Sequence, residues 1–241
     1  MKNGATVSAN EVNAMLAPWK LRVVKDCQIA TKGVENTNIL LPGRTWVLRL
    51  YRSLTHAEAE REALVLEHLG ARGFPVSRVL LTYNGARIAD VAGRPAAVLA
   101  FLPGDDLEDR ILPVPMAHDL GALIGRMDVA LAGLSSVGHA HAHTPPPHDL
   151  THFAETRQRL SQCRRRNRDG RQPMNIGAAI PWALVDRCLD QLEAEARSWG
   201  SLPRQLIHGD LSAQNLLADG ARVTGVLDFG DVAVGARVAD I

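Results

Sequence analysis

A chain of 241 residues, 46% hydrophobic and 22% charged, holds enough apolar material for one large domain or two lobes and is too apolar for a disordered tract. Its 27 Lys and Arg balance 26 Asp and Glu, which excludes a global field that gathers nucleic acid or anionic membrane. Three widely spaced cysteines (Cys27, Cys163, Cys188) argue against a disulfide framework or a cysteine zinc site. With no opening signal peptide and no apolar run of about 18 residues, the expectation is a soluble cytoplasmic protein.

Ser8-Ala9-Asn10-Glu11 has capping-box spacing and predicts a short helix through Leu16, stopped before Pro18. Residues 21–24 and 38–41 read as strands. Pro42-Gly43 turns the chain into a third, 45–51, where Val47, Arg49 and Tyr51 share one face and Leu48 and Leu50 the other. A second capping box, Thr55-His56-Ala57-Glu58, opens a helix that carries Glu62 to about Gly70. Residues 79–83 and 96–101 complete a five-stranded sheet, and Leu102-Pro103-Gly104 is the expected hinge.

Beyond the hinge the period changes. Met116, Leu120, Leu123, Met127, Leu131 and Leu134 recur at helical spacing and predict one long buried stripe. Residues 181–198 predict another helix, with Val185, Cys188 and Leu192 on its inner face. The chain therefore divides into a strand-rich unit, residues 1–102, and a helical one, residues 103–241. His139, His141, His143, His148 and His152 crowd a stretch containing Pro145-Pro146-Pro147, which reads as a solvated connector rather than a metal site. Arg164-Arg165-Arg166-Asn167-Arg168 with Arg171 is a basic run without interleaved aromatics and reads as a solvated helix end.

Two aspartates near the end carry the chemistry. Asp210 lies in His208-Gly209-Asp210-Leu211-Ser212-Ala213-Gln214-Asn215, and Asp228 in Val226-Leu227-Asp228-Phe229-Gly230, with Asp219-Gly220 between them as a hairpin turn. Transfer of a γ-phosphoryl group needs a carboxylate beside the attacking hydroxyl and oxygen ligands that hold Mg2+ against the triphosphate. Asp210 is the candidate catalytic carboxylate, and Asn215 and Asp228 are the candidate metal ligands. Either motif alone is weak; the pair in this order is much stronger.

These residues resemble the aminoglycoside phosphotransferase and choline kinase family, small-molecule kinases of protein-kinase-like fold. Asp240 matches a further aspartate of that signature. Gly33-Val34-Glu35-Asn36-Thr37-Asn38, followed by Trp46-Val47-Leu48-Arg49-Leu50-Tyr51, is similar to the homoserine kinase branch. Ile124-Gly125-Arg126-Met127-Asp128, with Asp where many relatives have His, is similar to hydroxylysine-kinase-like members. The resemblance implies an α+β fold of two lobes, a nucleotide-binding N-terminal lobe and a helical C-terminal lobe incomplete at Ile241; the chain is then a truncated product, a piece of a longer protein, or one whose lobe a homodimer or partner chain completes.

It also implies that Arg49, where Lys is the common residue, pairs with Glu62 and positions the phosphates of ATP, that Asp240 braces the catalytic loop, and that His208 buttresses it. Gly33 to Asn38 must then cover the phosphates without a true Gly-x-Gly-x-x-Gly loop. Asn36, with Thr37 and Asn38, either donates to phosphate oxygens or satisfies its own turn. Leu102 and its neighbours would line the adenine slot. The expected reaction is ATP- and magnesium-dependent phosphorylation of a small-molecule hydroxyl, on an amino alcohol such as homoserine or hydroxylysine or on an aminoglycoside. A kinase-like nucleotide-binding module without catalysis is the alternative. No nucleic-acid or membrane partner is expected.

Overall fold

The computed structural model describes residues 5–31, 36–134, 153–168, 181–199 and 201–240. The histidine-rich connector, Arg171 and residues 33–35 of the expected phosphate cover lie outside them. Helix α1 (Ala9–Met15) starts at Ser8, whose hydroxyl accepts from the Glu11 N–H while the Glu11 carboxylate accepts from the Ser8 N–H. Helix α2 (His56–Gly70) starts with the same reciprocal pair between Thr55 and Glu58. Both capping boxes act as the spacing requires, each satisfying two otherwise orphaned N–H groups.

The first sheet is antiparallel throughout and has seven strands: β1 (Thr6–Val7), β2 (Cys27–Ile29), β3 (Asn36–Leu40), β4 (Trp46–Tyr51), β5 (Val79–Leu80), β6 (Ala89–Val91) and β7 (Arg94–Ala100). Their order is β1-β2-β3-β4-β7-β5, with β6 also on β7. In β4, Leu48 and Leu50 face one apolar cluster with α1, and Tyr51 faces the other with α2. On β7, Ala96 and Val98 join the α1 side, and Ala97 and Leu99 the α2 side. This period of two is what the strand sequences require when both faces are covered.

The expectation of five strands needs correction in four places, one of them the short β1 that pairs with β2. Residues 21–24 form no strand: the Val23 N–H donates to Asn13 Oδ1 at 2.7 Å and Asn13 Nδ2 donates to the Val23 carbonyl at 2.9 Å, so a side chain takes the place of a neighbouring strand. The pairing falls instead to Cys27–Ile29. The strand expected over 79–83 ends at Leu80, because the Thr82 N–H turns back to the Ala86 carbonyl and Thr82 Oγ1 accepts from the Ala86 N–H. The β6–β7 hairpin was not anticipated; Ala92 and Gly93, both at positive φ, make its two-residue turn.

Helix α3 (Val114–Ala132) buries Met116, Leu120, Leu123, Met127 and Leu131 in the cluster that also holds the inner face of α2. Helices α4 (Phe153–Arg168) and α5 (Trp182–Trp199) pair through ions: Arg157 reaches Asp190 at 2.6 Å and Glu193 at 2.5 Å, and Arg164 reaches Asp186 at 3.1 Å. Arg164 also lies over the Trp182 ring, so this member of the basic run is a helix–helix contact. The inner face expected on α5 is only partly right. Val185 is half-buried, but Cys188 is exposed and Leu192 is 39% exposed, since α4 offers it charge rather than an apolar groove.

Two smaller sheets complete the fold. Strand β8 (Asp105–Asp106) pairs with β10 (Leu216–Asp219), which forms the predicted hairpin with β11 (Arg222–Val226) around Gly220 at φ 59°. Strand β9 (Arg204–Ile207) pairs with β12 (Ala233–Ala236), and a closing turn, Arg237–Asp240, packs on β9. Among the described residues no helix is long and apolar enough to cross a membrane.

Candidate active site

Strand β9 delivers His208, Gly209 and Asp210 in succession, and β11 delivers Asp228. The two loops touch back to back. Gly209 has φ 85°, and a Cβ built there would lie 2.5 Å from the Asp231 carbonyl oxygen, so both its backbone angle and its neighbour require glycine. The His208 ring is fully buried, with Nε2 2.9 Å from the Leu227 carbonyl and Nδ1 3.3 Å from the Asp210 N–H. These partners fix the tautomer: Nε2–H donates to Leu227 and Nδ1 accepts from Asp210. Burial depresses the imidazole, which keeps it neutral and leaves that pairing intact. Its ring also packs on Phe229 at 4.5 Å between centroids.

Asp240 sits beneath the loop. Its carboxylate accepts from the His208 N–H at 2.5 Å and the Gly209 N–H at 2.9 Å. Above, Asn215 Nδ2 donates to both the Asp210 carbonyl and Asp210 Oδ2 at 2.9 Å, and the Leu227 N–H donates to the Asn215 carbonyl at 2.8 Å. Asn215 thus ties the Asp210 loop to the strand that ends at Asp228. With Nδ2 donating to Asp210, Oδ1 is the acceptor atom of the Asn215 amide.

Asp228 adopts left-handed backbone angles, φ 60° and ψ 68°, a conformation that costs a non-glycine residue about 1–2 kcal/mol. The fully buried Phe229 next to it anchors the turn. Asp228 Oδ1 lies 3.8 Å from Arg49 Nη1, which meets Glu62 Oε1 at 2.7 Å; Arg49 Nε donates to Asn38 Oδ1 at 3.0 Å. Burial alone would depress the guanidinium, but Glu62 and Asp228 hold it above its ordinary value. Burial raises the Glu62 carboxyl, and Arg49 opposes that rise. The pair is buried and its retention needs good geometry. Arg49 supplies it through a fork that one ammonium lacks.

The sequence-derived residues therefore fall into two connected groups: Asp210 with Asn215, His208 and Asp240, and Asp228 with Arg49 and Glu62. Leu227, bonded to both Asn215 and His208, joins them. Of the three polar residues on β3, Asn38 supports Arg49 and Thr37 accepts from Arg52, whereas Asn36 Oδ1 is buried without a hydrogen-bond partner among the described residues. Asn38 was thus undervalued in the sequence. Its signal was its cross-strand register with Arg49.

A matching family model decides the assignment: that of the phosphotransferase enzyme family fits residues 26–241. The chain belongs to the phosphotransferase enzyme family. Among curated members, it is 30% identical over 210 residues to a homoserine kinase of Zymomonas mobilis subsp. mobilis, covering 83% of this chain and 57% of that one. A homoserine kinase of Methylobacillus flagellatus is 28% identical over 235 residues, covering 93% and 64%. The chain thus spans less than two thirds of these relatives' length. Among solved structures, the GDP and kanamycin complex of APH(2")-IIia matches with a TM-score of 0.68 at 19% identity, over 97% of this chain and 76% of that one. The amicoumacin kinase hAmiN in complex with AMP-PNP and Ca2+ matches with a TM-score of 0.63 at 13% identity, over 95% and 65%. The architecture is the α+β protein-kinase-like fold that the two motifs implied.

Proposed function

We propose that this chain carries the site of an ATP-dependent small-molecule kinase, in which residues 1–102 form the nucleotide-binding lobe and residues 103–241 the catalytic one. The observation that carries the reading is Asn215, whose amide holds Asp210 by its carbonyl and its carboxylate while its main-chain carbonyl takes the N–H of Leu227, the residue before Asp228. Asp210 Oδ2, held in this way, orients the acceptor hydroxyl and takes its proton. Arg49, steadied by Glu62 and Asn38, sets the phosphates, and Asn36 closes over them.

Asn215 and Asp228 would hold Mg2+. Among the described residues no three His, Cys, Asp or Glu side chains converge as a cage. Two protein oxygens suit an ion that keeps waters and phosphate oxygens as its other ligands. When bound, the ion neutralises charge developing on the transferred phosphoryl group. The left-handed backbone of Asp228 and its approach to Arg49 support this role.

For the acceptor we favour an amino alcohol of the homoserine type, because the relatives at 28–30% identity carry that name across most of this chain. The solved aminoglycoside and amicoumacin kinases are alike in fold at 19% and 13% identity, which says nothing of the acceptor. Labelled ATP offered with a panel of amino alcohols and aminoglycosides tests both. The expected outcome is transfer to homoserine or a close analogue, lowered about 10²–10⁴-fold in Asp210→Ala with nucleotide affinity retained. Thermal stabilisation by nucleotide without transfer to any acceptor would replace this reading with a binding module.

A further inference from the structure

Helix α3 places an acid on its buried side. Asp128 follows Met127 on the apolar stripe and is 2% exposed, and its Oδ1 is buried without a hydrogen-bond partner among the described residues. An ionised carboxylate in that state is strongly disfavoured, and an apolar side chain would fill the space without the penalty. The helix turn that bears it is fixed to β9, since Gln205 Nε2 donates to the Asp128 carbonyl at 2.9 Å. Strand β9 is the strand that delivers His208. The closing turn Arg237–Asp240 packs on the same strand. It brings Asp240 close enough for its charge to act on Asp128, with Arg237 as the offsetting cation. Asp240 is the group whose two oxygens hold the His208 and Gly209 N–H groups.

We propose that Asp128 is a positioning residue for the Asp210 loop: a buried acid whose ionisation opposes the charge on Asp240 and so loosens the two N–H contacts beneath Asp210. With a proton on Asp128, Asp240 is the sole negative charge of the pair and keeps both N–H groups. Without it, two like charges act on each other beneath the loop. Burial first, and Asp240 second, push the Asp128 carboxyl up to about 6, so the change falls between mildly acid and neutral solution. Of the elements packed on α3, β9 bonds the Asp128 main-chain carbonyl through Gln205, α2 brings the titratable His68 to the Ala130 carbonyl, and β11 carries Arg222. His208, beside Asp240, stays neutral through the upper part of this range because burial depresses it.

The inference rests on the kinase reading only for the role of Asp210; the contacts do not depend on turnover. Hydrogen exchange at the His208 and Gly209 amides of the full chain, corrected for intrinsic rates and taken from about pH 5 to about pH 7.5, tests it. Protection should fall about tenfold across that range in the wild type and stay level in Asp128→Asn, the size expected for roughly one unit of coupling. Level protection in the wild type, or the same fall in Asp128→Asn, would overturn the proposal. If Asp128→Asn does not fold, the β4 amides of the wild type serve as reference. A fall confined to 208 and 209 supports the role, and a uniform fall refutes it. Absence of phosphate transfer would count against the kinase reading alone and leave this result standing.

Discussion

Arg49 links β3 and α2 to Asp228. Its Nη1 contacts Glu62 and approaches Asp228, and its Nε holds Asn38. Arg49→Met removes the cation paired with Glu62, a carboxylate that is 2% exposed. Breaking a buried pair from one side costs about 3–5 kcal/mol. Arg49→Lys keeps the charge but cannot bond Asn38 and Glu62 together, so a loss of about 1–2 kcal/mol is expected. Urea unfolding of both variants measures this. Equal stability of Arg49→Lys and wild type would show that the fork is dispensable and that the charge alone matters.

Between elements, Gly209 packs against the Asp231 carbonyl. Gly209→Ala must accommodate a Cβ 2.5 Å from that oxygen as well as φ 85°. Gly220→Ala, at φ 59° in the β10–β11 turn, meets nothing within 4 Å. The comparison separates strain from collision: about 1 kcal/mol at Gly220, and more than about 2 kcal/mol at Gly209, with nucleotide-linked stabilisation reduced only in the second. Losses of equal size would mean the two loops part freely.

The same scale shows what could be read before any coordinates. Capping boxes, the α3 stripe, the Asp219-Gly220 turn and both motifs were legible because each is local, a few residues whose chemistry decides their own backbone. Residues 21–24 misled because Val23 is held by Asn13, an interaction ten residues away that no strand propensity reports. The α5 face misled for the opposite reason. Its period was helical, but what it packs on was decided by the arginines of α4. Within the site, Asp210, Asn215 and Asp228 were legible from spacing. The supporting role of Asn38 and the burial of Asp128 were not, because both arise only when β3 meets β4 and α3 meets β9.

For the whole molecule, the buried ionisable groups around the site pull stability in opposite directions with pH. Asp128 has a folded value raised to about 6, so its contribution is full below the unfolded value near 3.8 and is lost as pH rises through 6. Glu62, raised by burial, acts in the same sense. His208 is depressed below its ordinary 6.5, so its contribution is full above that value and is lost as pH falls from 6.5 toward the folded value. From about pH 4 to 6.5 the slopes oppose, and His208 offsets part of the loss that the two acids contribute as pH rises. Asp128→Asn removes one slope. It should gain up to about 3 kcal/mol over the wild type at neutral pH, with the gain shrinking toward pH 4. His208→Gln should be weaker throughout, having lost the bond to Leu227, and should lose stability more steeply than the wild type as pH rises from about 4.5 to about 6. Urea unfolding at four pH values across about 4.5 to 7.5 gives all three profiles. A gain in Asp128→Asn that is the same at every pH would place the cost in packing, and charge would then have no part in how α3 supports the loop.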